Sequence, residues 1–155
     1  NLPQRFGLEY VAEGGARKTP VMIHRAILGS LERFIGCLIE HYAGDFPVWL
    51  APVQVRIITV SESAAGSFSR EVFKELKTQD IRVDADEREE SLGKRIRAAE
   101  LEKIPVVAVI GDREAQAHTV NVRRRGKKDQ EVLSLTDFLE LMRREATVPD
   151  GAIEH

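Results

Sequence analysis

The sequence predicts an α/β fold in which a mixed, mostly parallel sheet of about five strands is flanked by three helices. Between Val53 and Val148, runs rich in β-branched residues alternate with stretches whose apolar residues recur at helical spacing. The run PVVAVI at Pro105–Ile110 is apolar without alternation, which is typical of a strand buried on both faces of a parallel sheet. A separate strand–helix segment precedes this unit.

The composition is that of an ordinary globular protein. Of the 155 residues, 43% are hydrophobic and 31% are charged. The formal net charge of −2 excludes a bulk attraction to nucleic acid, so any such contact requires a local basic patch. One cysteine excludes an internal disulfide, and no apolar run reaches the roughly 18 residues of a membrane helix. Because the chain starts at Asn1 and not at methionine, we expect a piece of a longer protein.

Residues 1–45 are predicted to form the edge of a larger domain. Apolar residues in Phe6–Val11 and Val21–Ile23 flank the turn Glu13–Gly15, which predicts a β-hairpin. Helical spacing over Pro20–Tyr42 then predicts a helix that is apolar on one face and small-sided on another, as in an interior helix. Two strands and one helix cannot cover each other's apolar faces, so we expect the remainder of that domain to lie outside this stretch.

Three polar residues of this segment are candidates for chemistry. Ser30 and Arg33 are three residues apart and share a helix face, with His24 near one end of it. A forked arginine can meet a phosphate, and a histidine can ligate a metal ion. One histidine supplies only one ligand, however, and an ion pair for Arg33 with simple packing for Ser30 explains the same pattern. Spacing alone therefore leaves these roles open.

A domain boundary is predicted near residue 45. Turn residues at Gly44–Pro47 are followed by the apolar pair Trp49–Leu50, which indicates a packed join and not a loose linker. The predicted organisation is thus a first domain at residues 1–45, a second domain at residues 46–148 and a frayed tail at residues 149–155.

The second domain is predicted to be complete. Its strands are expected at Val53–Val60, Ile81–Ala85, Pro105–Ile110, Thr119–Arg123 and around Glu131–Leu133. Its helices are expected over Phe68–Leu76, after the N-cap Ser91, and from the capping-box-like start Ser134–Asp137. Sites in such sheets form outside the carboxyl ends of the strands. The loop Ser61–Ser67 has one glycine and no lysine, which argues against a phosphate-binding loop for a nucleotide.

Three charged segments of this domain are candidates for RNA contact. RRRGKK at Arg123–Lys128 places five positive charges around a turn, which is either a solvated hairpin tip or a phosphate contact. The loops Asp86–Glu90 and Gly111–Glu114 follow strand ends, and their carboxylates can accept hydrogen bonds from base amino groups. Mixed charges suit the reading of bases in a single-stranded RNA loop. The alternative is a non-catalytic module that uses this fold for protein contacts.

Four motifs carry a resemblance to a known family. HRAILGSLERF at His24–Phe34 resembles the third signature motif of class II aminoacyl-tRNA synthetases. WLAPVQV at Trp49–Val55 is similar to the threonyl-tRNA synthetase family in particular, and the likeness continues through IRVDADEREESLGKRIR at Ile81–Arg97 and VIGDREA at Val109–Ala115. The resemblance implies the end of a class II catalytic domain followed by the class II anticodon-binding domain.

The resemblance implies roles for three residues of the first domain. His24 matches the last of three ligands of the active-site zinc, Arg33 matches the arginine that contacts the ATP phosphates, and Ser30 matches a residue lining the adenylate pocket. The implied parent is a cytoplasmic, homodimeric threonine–tRNA ligase that uses threonine, ATP, magnesium and zinc. Because the other zinc ligands and the first two class signatures are missing here, we expect this chain alone to be inactive and to bind no cofactor.

The resemblance also implies the anticodon loop of threonine tRNA as a partner. Arg123 and Glu114 match positions that hydrogen-bond anticodon bases. Glu89 stands where some bacterial relatives carry an asparagine, and a carboxylate has no donors to offer a base. Arg88 is therefore a candidate to contribute in its place. Phosphate contacts are expected from two basic residues of the following helix, Lys94 and Arg97.

Overall fold

The computed structural model describes residues 1–61, 64–127 and 129–149, and its contacts divide the chain into two compact units, Asn1–Cys37 and Leu38–His155. Part of the predicted loop at residues 61–66, Lys128 of the basic run and residues 150–155 of the predicted tail lie outside the described residues. None of the helices that the structure describes is both long and apolar enough to cross a bilayer.

The first unit contains a short helix and a hairpin. Helix α1 spans Leu2–Arg5, and strands β1 (Tyr10–Val11) and β2 (Arg17–Lys18) pair in antiparallel fashion. The hairpin crosses the predicted glycine turn, but its second strand lies closer to the turn than predicted. Gly14 and Gly15 both have positive φ angles, of 91° and 81°, and this left-handed backbone lets the chain reverse at once.

Helix α2 (Leu31–Tyr42) is shorter than the predicted stretch from Pro20. Gly29 has a φ of 66°, which no helix continues through, and the Oγ of Ser30 accepts a hydrogen bond from the backbone N–H of Arg33 at 3.3 Å. Ser30 thus caps the helix and does not share its face with Arg33 as predicted. The prediction of an interior helix is also wrong for this chain, because no residue of α2 is buried and its apolar stripe faces solvent.

The second unit is built on a mixed five-stranded sheet, which confirms the predicted α/β class. The strand order is β4–β3–β5–β6–β7, with β3 parallel to both neighbours and antiparallel pairing in the β5–β6–β7 part. All five predicted strands are present, and β5 is buried along its whole length as its unalternating sequence indicates. The strands are β3 (Val55–Thr59), β4 (Val83–Asp86), β5 (Val106–Ile110), β6 (Thr119–Arg124) and β7 (Gln130–Ser134).

Helices cover both faces of this sheet. Helices α3 (Ala64–Thr78) and α6 (Leu135–Ala146) pack on the larger core, and α4 (Leu92–Leu101) packs on the smaller one. Ser134 caps α6 as predicted, since its Oγ accepts from the N–H of Asp137 at 3.1 Å. A fourth helix, α5 (Asp112–Ala117), replaces the loop predicted at Gly111–Glu114.

The smaller core leaves part of its sheet face open. It contains Ile58 of β3, Val107 and Val109 of β5 and Ala99 of α4. On the same face, Val132 of β7 is 60% exposed. The β6–β7 end of this face is therefore accessible to solvent.

The predicted join between the domains is held firmly to the second unit. Arg82, immediately before β4, donates to the carbonyls of Trp49 at 2.7 Å and Ala51 at 2.9 Å. Arg125, immediately after β6, donates to the carbonyl of Phe46 at 3.0 Å. These bonds to backbone carbonyls confirm a packed join.

Candidate nucleic-acid interface

A buried carboxylate lies at the carboxyl end of β4. The side chain of Asp86 is 2% exposed, and both of its oxygens are occupied by Arg88. Its Oδ1 accepts from the backbone N–H of Arg88 at 3.1 Å and from Nε at 2.9 Å, while its Oδ2 accepts from Nη2 at 2.6 Å. Such bidentate, charge-assisted pairs are among the stronger hydrogen bonds in proteins. The side chain of Arg88 is therefore turned back toward Asp86, the last residue of β4.

Arg95 of α4 contacts Asp86 from the buried side, at the carboxyl ends of β3 and β4. Its side chain is 9% exposed, and its Nε lies 3.5 Å from the Oδ1 of Asp86. Its Nη1 donates to the carbonyl of Thr59 at 2.8 Å, and its Nη2 donates to the carbonyl of Asp86. One buried guanidinium therefore joins the ends of β3 and β4 to α4.

These contacts set the charge of Asp86. The hydrogen bond from Arg88 is the largest influence and, with Arg95, outweighs burial, so that the pKa of Asp86 falls from 3.8 to about 2. The same bond raises the pKa of Arg88 further above its usual value. Both groups are charged throughout the physiological range.

A cavity of about 790 Å³ opens beside this corner, between the ends of β3 and β4 and helix α3. Ile57 and Phe73 contribute apolar walls. Charged side chains stand around it, and five of them are exposed: Arg70, Glu87, Arg88, Glu89 and Glu90. The volume lies within the range of sites that enclose small organic groups.

Glu114 lies at the same edge of the sheet. It is the third residue of α5, which follows β5 directly, and its Oε2 accepts from the N–H of Gly111 at 2.9 Å. This bond satisfies one of the free N–H groups at the helix start, which is why the segment is a helix and not a loop. Because β3 pairs in parallel with both β4 and β5, the structure brings Glu114 and Glu89 to the same carboxyl edge.

Three consecutive arginines lie at the end of β6, and their side chains have different partners. Arg124 forms a bidentate pair with Glu145 at 2.8 and 2.7 Å, which raises the pKa of Arg124. Arg125 donates to the carbonyl of Lys103 at 2.5 Å as well as to the join. The side chain of Arg123 has no hydrogen bond or ion pair with any residue that the structure describes. Only Arg123 of the three keeps its donors free for a ligand within the described chain.

Arg123 lies away from the two glutamates. It pairs with Val107, three residues before the end of β5, and is therefore set back from the carboxyl edge by roughly 10 Å. Paired residues share a sheet face, so Arg123 lies on the partly open face that α4 covers at its other end. Lys94 and Arg97 are exposed on α4. The three basic candidates, Arg123, Lys94 and Arg97, thus lie on the side of the sheet that α4 covers.

The candidates of the first unit do not form a site by themselves. His24 is exposed in an irregular segment, and Arg33 is exposed on α2. The Oγ of Ser30 donates to Glu32 at 2.7 Å, which lowers the pKa of Glu32. Among the described residues no group of three or more His, Cys, Asp or Glu side chains could hold a metal ion. His24 is thus a single donor, and the described residues do not fit a zinc site.

Sequence reasoning missed the roles of Asp86 and Arg95. A signal for Arg95 exists, because it stands three residues after Leu92 and four before Ala99, on the apolar stripe of α4. A charged residue at such an inward position needs a buried partner of opposite charge. The sequence does not say which of the nearby carboxylates this partner is.

Residues 54–145, more than half of the chain, match the family described as "Anticodon binding domain". The chain belongs to this anticodon-binding family. Residues 1–42 match the "tRNA synthetase class II core domain (G, H, P, S and T)". These matches confirm the resemblance seen in the sequence motifs.

Relatives of known sequence and structure agree with this family. The chain is 50% identical over 151 residues to a threonine–tRNA ligase of Phenylobacterium zucineum and 53% identical over 145 residues to that of Thermus thermophilus. These alignments cover 97% and 94% of the chain but only 23% and 22% of the relatives. A crystal structure described as the RNA binding domain of threonyl-tRNA synthetase from Cryptosporidium parvum has a TM-score of 0.73 at 33% identity, covering 96% of this chain and 38% of that one.

Proposed function

We propose that the chain is the C-terminal part of a threonine–tRNA ligase and that its second domain binds the anticodon loop of threonine tRNA. The observation that carries this proposal is the identity of about half of all residues with threonine–tRNA ligases along nearly the whole chain. Two further features support it. The domain belongs to the anticodon-binding family, and Arg123 keeps free donors on an open sheet face.

The proposed organisation follows the predicted boundaries. Residues 1–45 would be the end of the catalytic domain, residues 46–148 the anticodon-binding domain and residues 149–155 a tail. The class II core match ends at residue 42 and the anticodon match begins at residue 54, which supports a boundary between them.

The proposed base contacts are Glu89, Glu114 and Arg123. Carboxylates at the sheet edge accept hydrogen bonds from base amino groups, whereas the guanidinium of Arg123 donates to base acceptors or to phosphate. Glu114 uses Oε2 to cap α5 and keeps Oε1 for a base. Three contacts spread over the edge and the open face fit a splayed, single-stranded loop better than a duplex. Lys94 and Arg97 would add phosphate contacts.

The parent enzyme is proposed to activate threonine with ATP and magnesium and to transfer it to tRNA in the cytoplasm, as a homodimer. Arg33 would bind the ATP phosphates beside Ser30, and His24 would supply one zinc ligand to a site completed by residues outside this chain. The support for these roles is the match of residues 1–42 to the class II core. Because no group of three or more His, Cys, Asp or Glu side chains among the described residues could hold a metal ion, the zinc site would depend on ligands from outside this chain.

The experiment that tests the RNA-binding proposal is a titration of the chain with a threonine-tRNA anticodon stem-loop and with a loop of scrambled sequence. Arg123→Ala and Glu114→Ala are each expected to reduce the discrimination between the two RNAs by about 1–3 kcal/mol, by analogy with base readout on DNA. Arg144→Ala is the matched control, because Arg144 is exposed on α6, against the opposite core, and loses the same charge. Equal affinity for both RNAs, unchanged in both variants, would favour the protein-interaction module.

A further inference from the structure

We propose that Asp86 and Arg88 form a brace that positions Glu89 for RNA recognition, and that Arg88 acts through this brace and not by touching the RNA. The inference rests on the proposed function. It assigns Asp86, the first residue of the loop Asp86–Glu90 that the sequence offers for base contact, as a positioning residue, and it gives Arg88 a different role from the RNA contact expected from the sequence.

The backbone on both sides of Glu89 is fixed. Before it, the N–H of Arg88 donates to the Oδ1 of Asp86 at 3.1 Å. After it, the N–H of Glu90 donates to the carbonyl of Arg88 at 2.8 Å. The guanidinium of Arg88 adds two more bonds to the same carboxylate. Glu89 is therefore carried by a short loop in which Arg88 makes three bonds to one buried carboxylate and its carbonyl makes one bond to Glu90.

That anion is itself held in place. Asp86 is the last residue of β4, and the buried Arg95 binds its carbonyl and approaches its carboxylate. Arg95 also binds the carbonyl of Thr59 at the end of β3. The chain of contacts thus runs from two strand ends and α4, through Asp86 and Arg88, to Glu89. A side chain on such a rigid support loses less entropy when it binds a ligand.

Electrostatics explains why the loop needs a brace. Glu87, Glu89 and Glu90 are exposed carboxylates within four residues, and like charges at this spacing repel one another. Arg88 stands among them, and Asp86 holds it there. Without the bond to Asp86, the guanidinium would be free to pair with any of the neighbouring carboxylates, and the loop would adopt several shapes.

The same geometry argues against a direct phosphate contact by Arg88. A phosphate prefers the forked Nε and Nη2 edge of a guanidinium, and both of these atoms already bind Asp86. A phosphate bound at this edge would have to displace a buried carboxylate and leave it without these bonds. The charge of Asp86 also cancels the attraction that Arg88 would otherwise exert.

The test is a double-mutant cycle of Asp86→Asn and Arg88→Ala, read as the affinity of the full chain for the threonine-tRNA anticodon stem-loop at several salt concentrations. Each single variant is expected to weaken binding about tenfold, as for the loss of a charge-assisted hydrogen bond. The double variant should be no weaker than either one, because both break the same brace. The salt slope should not change, because no phosphate contact is lost.

The variant Arg88→Lys separates the effect of the positive charge of Arg88 from the effect of its forked hydrogen bonds to Asp86. A lysine keeps the positive charge but not the fork, so it should bind as weakly as Arg88→Ala if Arg88 is a brace. The controls Arg144→Ala and Glu140→Gln change one charge of either sign at exposed positions of α6 and should bind like the wild type. The Arg88 variants also keep the test valid if Asp86→Asn does not fold, because Arg88 is half exposed.

Two results would overturn the brace. In the first, Asp86→Asn binds the stem-loop as tightly as the wild type or more tightly, and the dependence of Arg88→Ala binding on salt concentration is weaker, with a slope lowered by about 0.7. A change of that size is the signature of a lost single-strand phosphate contact. The other is unchanged hydrogen exchange of the Arg88 and Glu90 amides in Asp86→Asn. The second readout needs no RNA, so it separates a failure of the brace from a failure of the proposed function, which would show as no discrimination by the wild type.

Discussion

At the residue scale, Asp86 is expected to make the stability of the second unit depend on pH. Its pKa in the folded chain is about 2, below the ordinary value of 3.8, because Arg88 and Arg95 bind the charged form. The stabilisation is therefore fully present above about pH 4 and is lost as the pH falls toward 2. Urea unfolding should show the wild type to be more stable than Asp86→Asn by about 1–2 kcal/mol at pH 6, with a much smaller difference near pH 2.

Glu140→Gln is the control for this pH dependence, since Glu140 is exposed on α6. Its difference from the wild type should be within about 0.5 kcal/mol at both pH values. A constant gap between the wild type and Asp86→Asn from pH 6 to pH 2 would mean that the carboxylate charge is not what stabilises this corner.

Also at the residue scale, the three arginines after Val122 show what the sequence can and cannot reveal. The basic run was visible, but the partners that separate a structural from a free arginine are distant in the chain. Arg124 binds Glu145, 21 residues away, and Arg125 binds Phe46, 79 residues away. Neither distance follows a local period, so only the fold identifies Arg123 as the unpaired member within the described residues.

At the scale of elements, α5 depends on Glu114 for more than RNA contact. The helix has only six residues, and its start is satisfied by the bond between Glu114 and the N–H of Gly111. Glu114→Ala is expected to cost about 1 kcal/mol of unfolding free energy, because a cap acceptor and a negative charge near the helix N-terminus are both lost. Glu114→Gln keeps an acceptor and should lose less.

The comparison of these two variants separates the structural role of Glu114 from its role in binding. Urea unfolding measures the first, and the stem-loop titration measures the second. We expect Glu114→Gln to stay near wild-type stability while its discrimination between RNAs falls, because an amide offers one acceptor where the carboxylate has two. If Glu114→Gln keeps both wild-type stability and wild-type discrimination between the RNAs, the charge of Glu114 has no part in recognition.

The secondary-structure elements also show which of them local sequence patterns can predict and which they cannot. Strands β3, β5 and β6 are predictable because runs rich in β-branched residues leave a clear signal, and β4 is predictable from the alternation of Ile81, Val83 and Ala85 with charged residues. Helix α5 was predicted as a loop because six residues are too few for a period, although Glu114 three residues after Gly111 is the spacing of a cap. The helix predicted from Pro20 starts only at Leu31, since a positive φ at Gly29 overrides the apolar spacing.

At the scale of the whole chain, the fold class followed from the sequence, whereas most of the candidate site depends on tertiary contacts. Glu89, Glu114 and Arg123 came from a family resemblance, and spacing alone would not have separated them from other surface charges. The contacts of Asp86 with Arg88 and Arg95 join two strand ends to a helix, and no local pattern encodes such a junction. The apolar stripe of α2 was visible in the sequence, but its exposure in this chain was not.

The join between the predicted domains gives a prediction at this largest scale. Its carbonyls at Phe46, Trp49 and Ala51 accept hydrogen bonds from Arg125 and Arg82, which are charge-assisted bonds. Residues 43–53 should therefore behave as part of the second unit and resist a protease that cleaves after aromatic residues. Arg125→Ala and Arg82→Ala are each expected to speed cleavage after Trp49 several-fold, because local opening becomes easier by about 1 kcal/mol.

Arg144→Ala carries the same loss of charge outside the join and should be cleaved at the wild-type rate. Mass spectrometry of the first fragments identifies the cleaved bond, and it distinguishes opening of the join from global unfolding, which would also expose the core residues Phe68 and Phe138. Equal cleavage rates in all four proteins would show that packing of the apolar residues holds the join without these arginines. Faster cleavage confined to the join would mean that the two arginines keep residues 43–53 closed on the sheet.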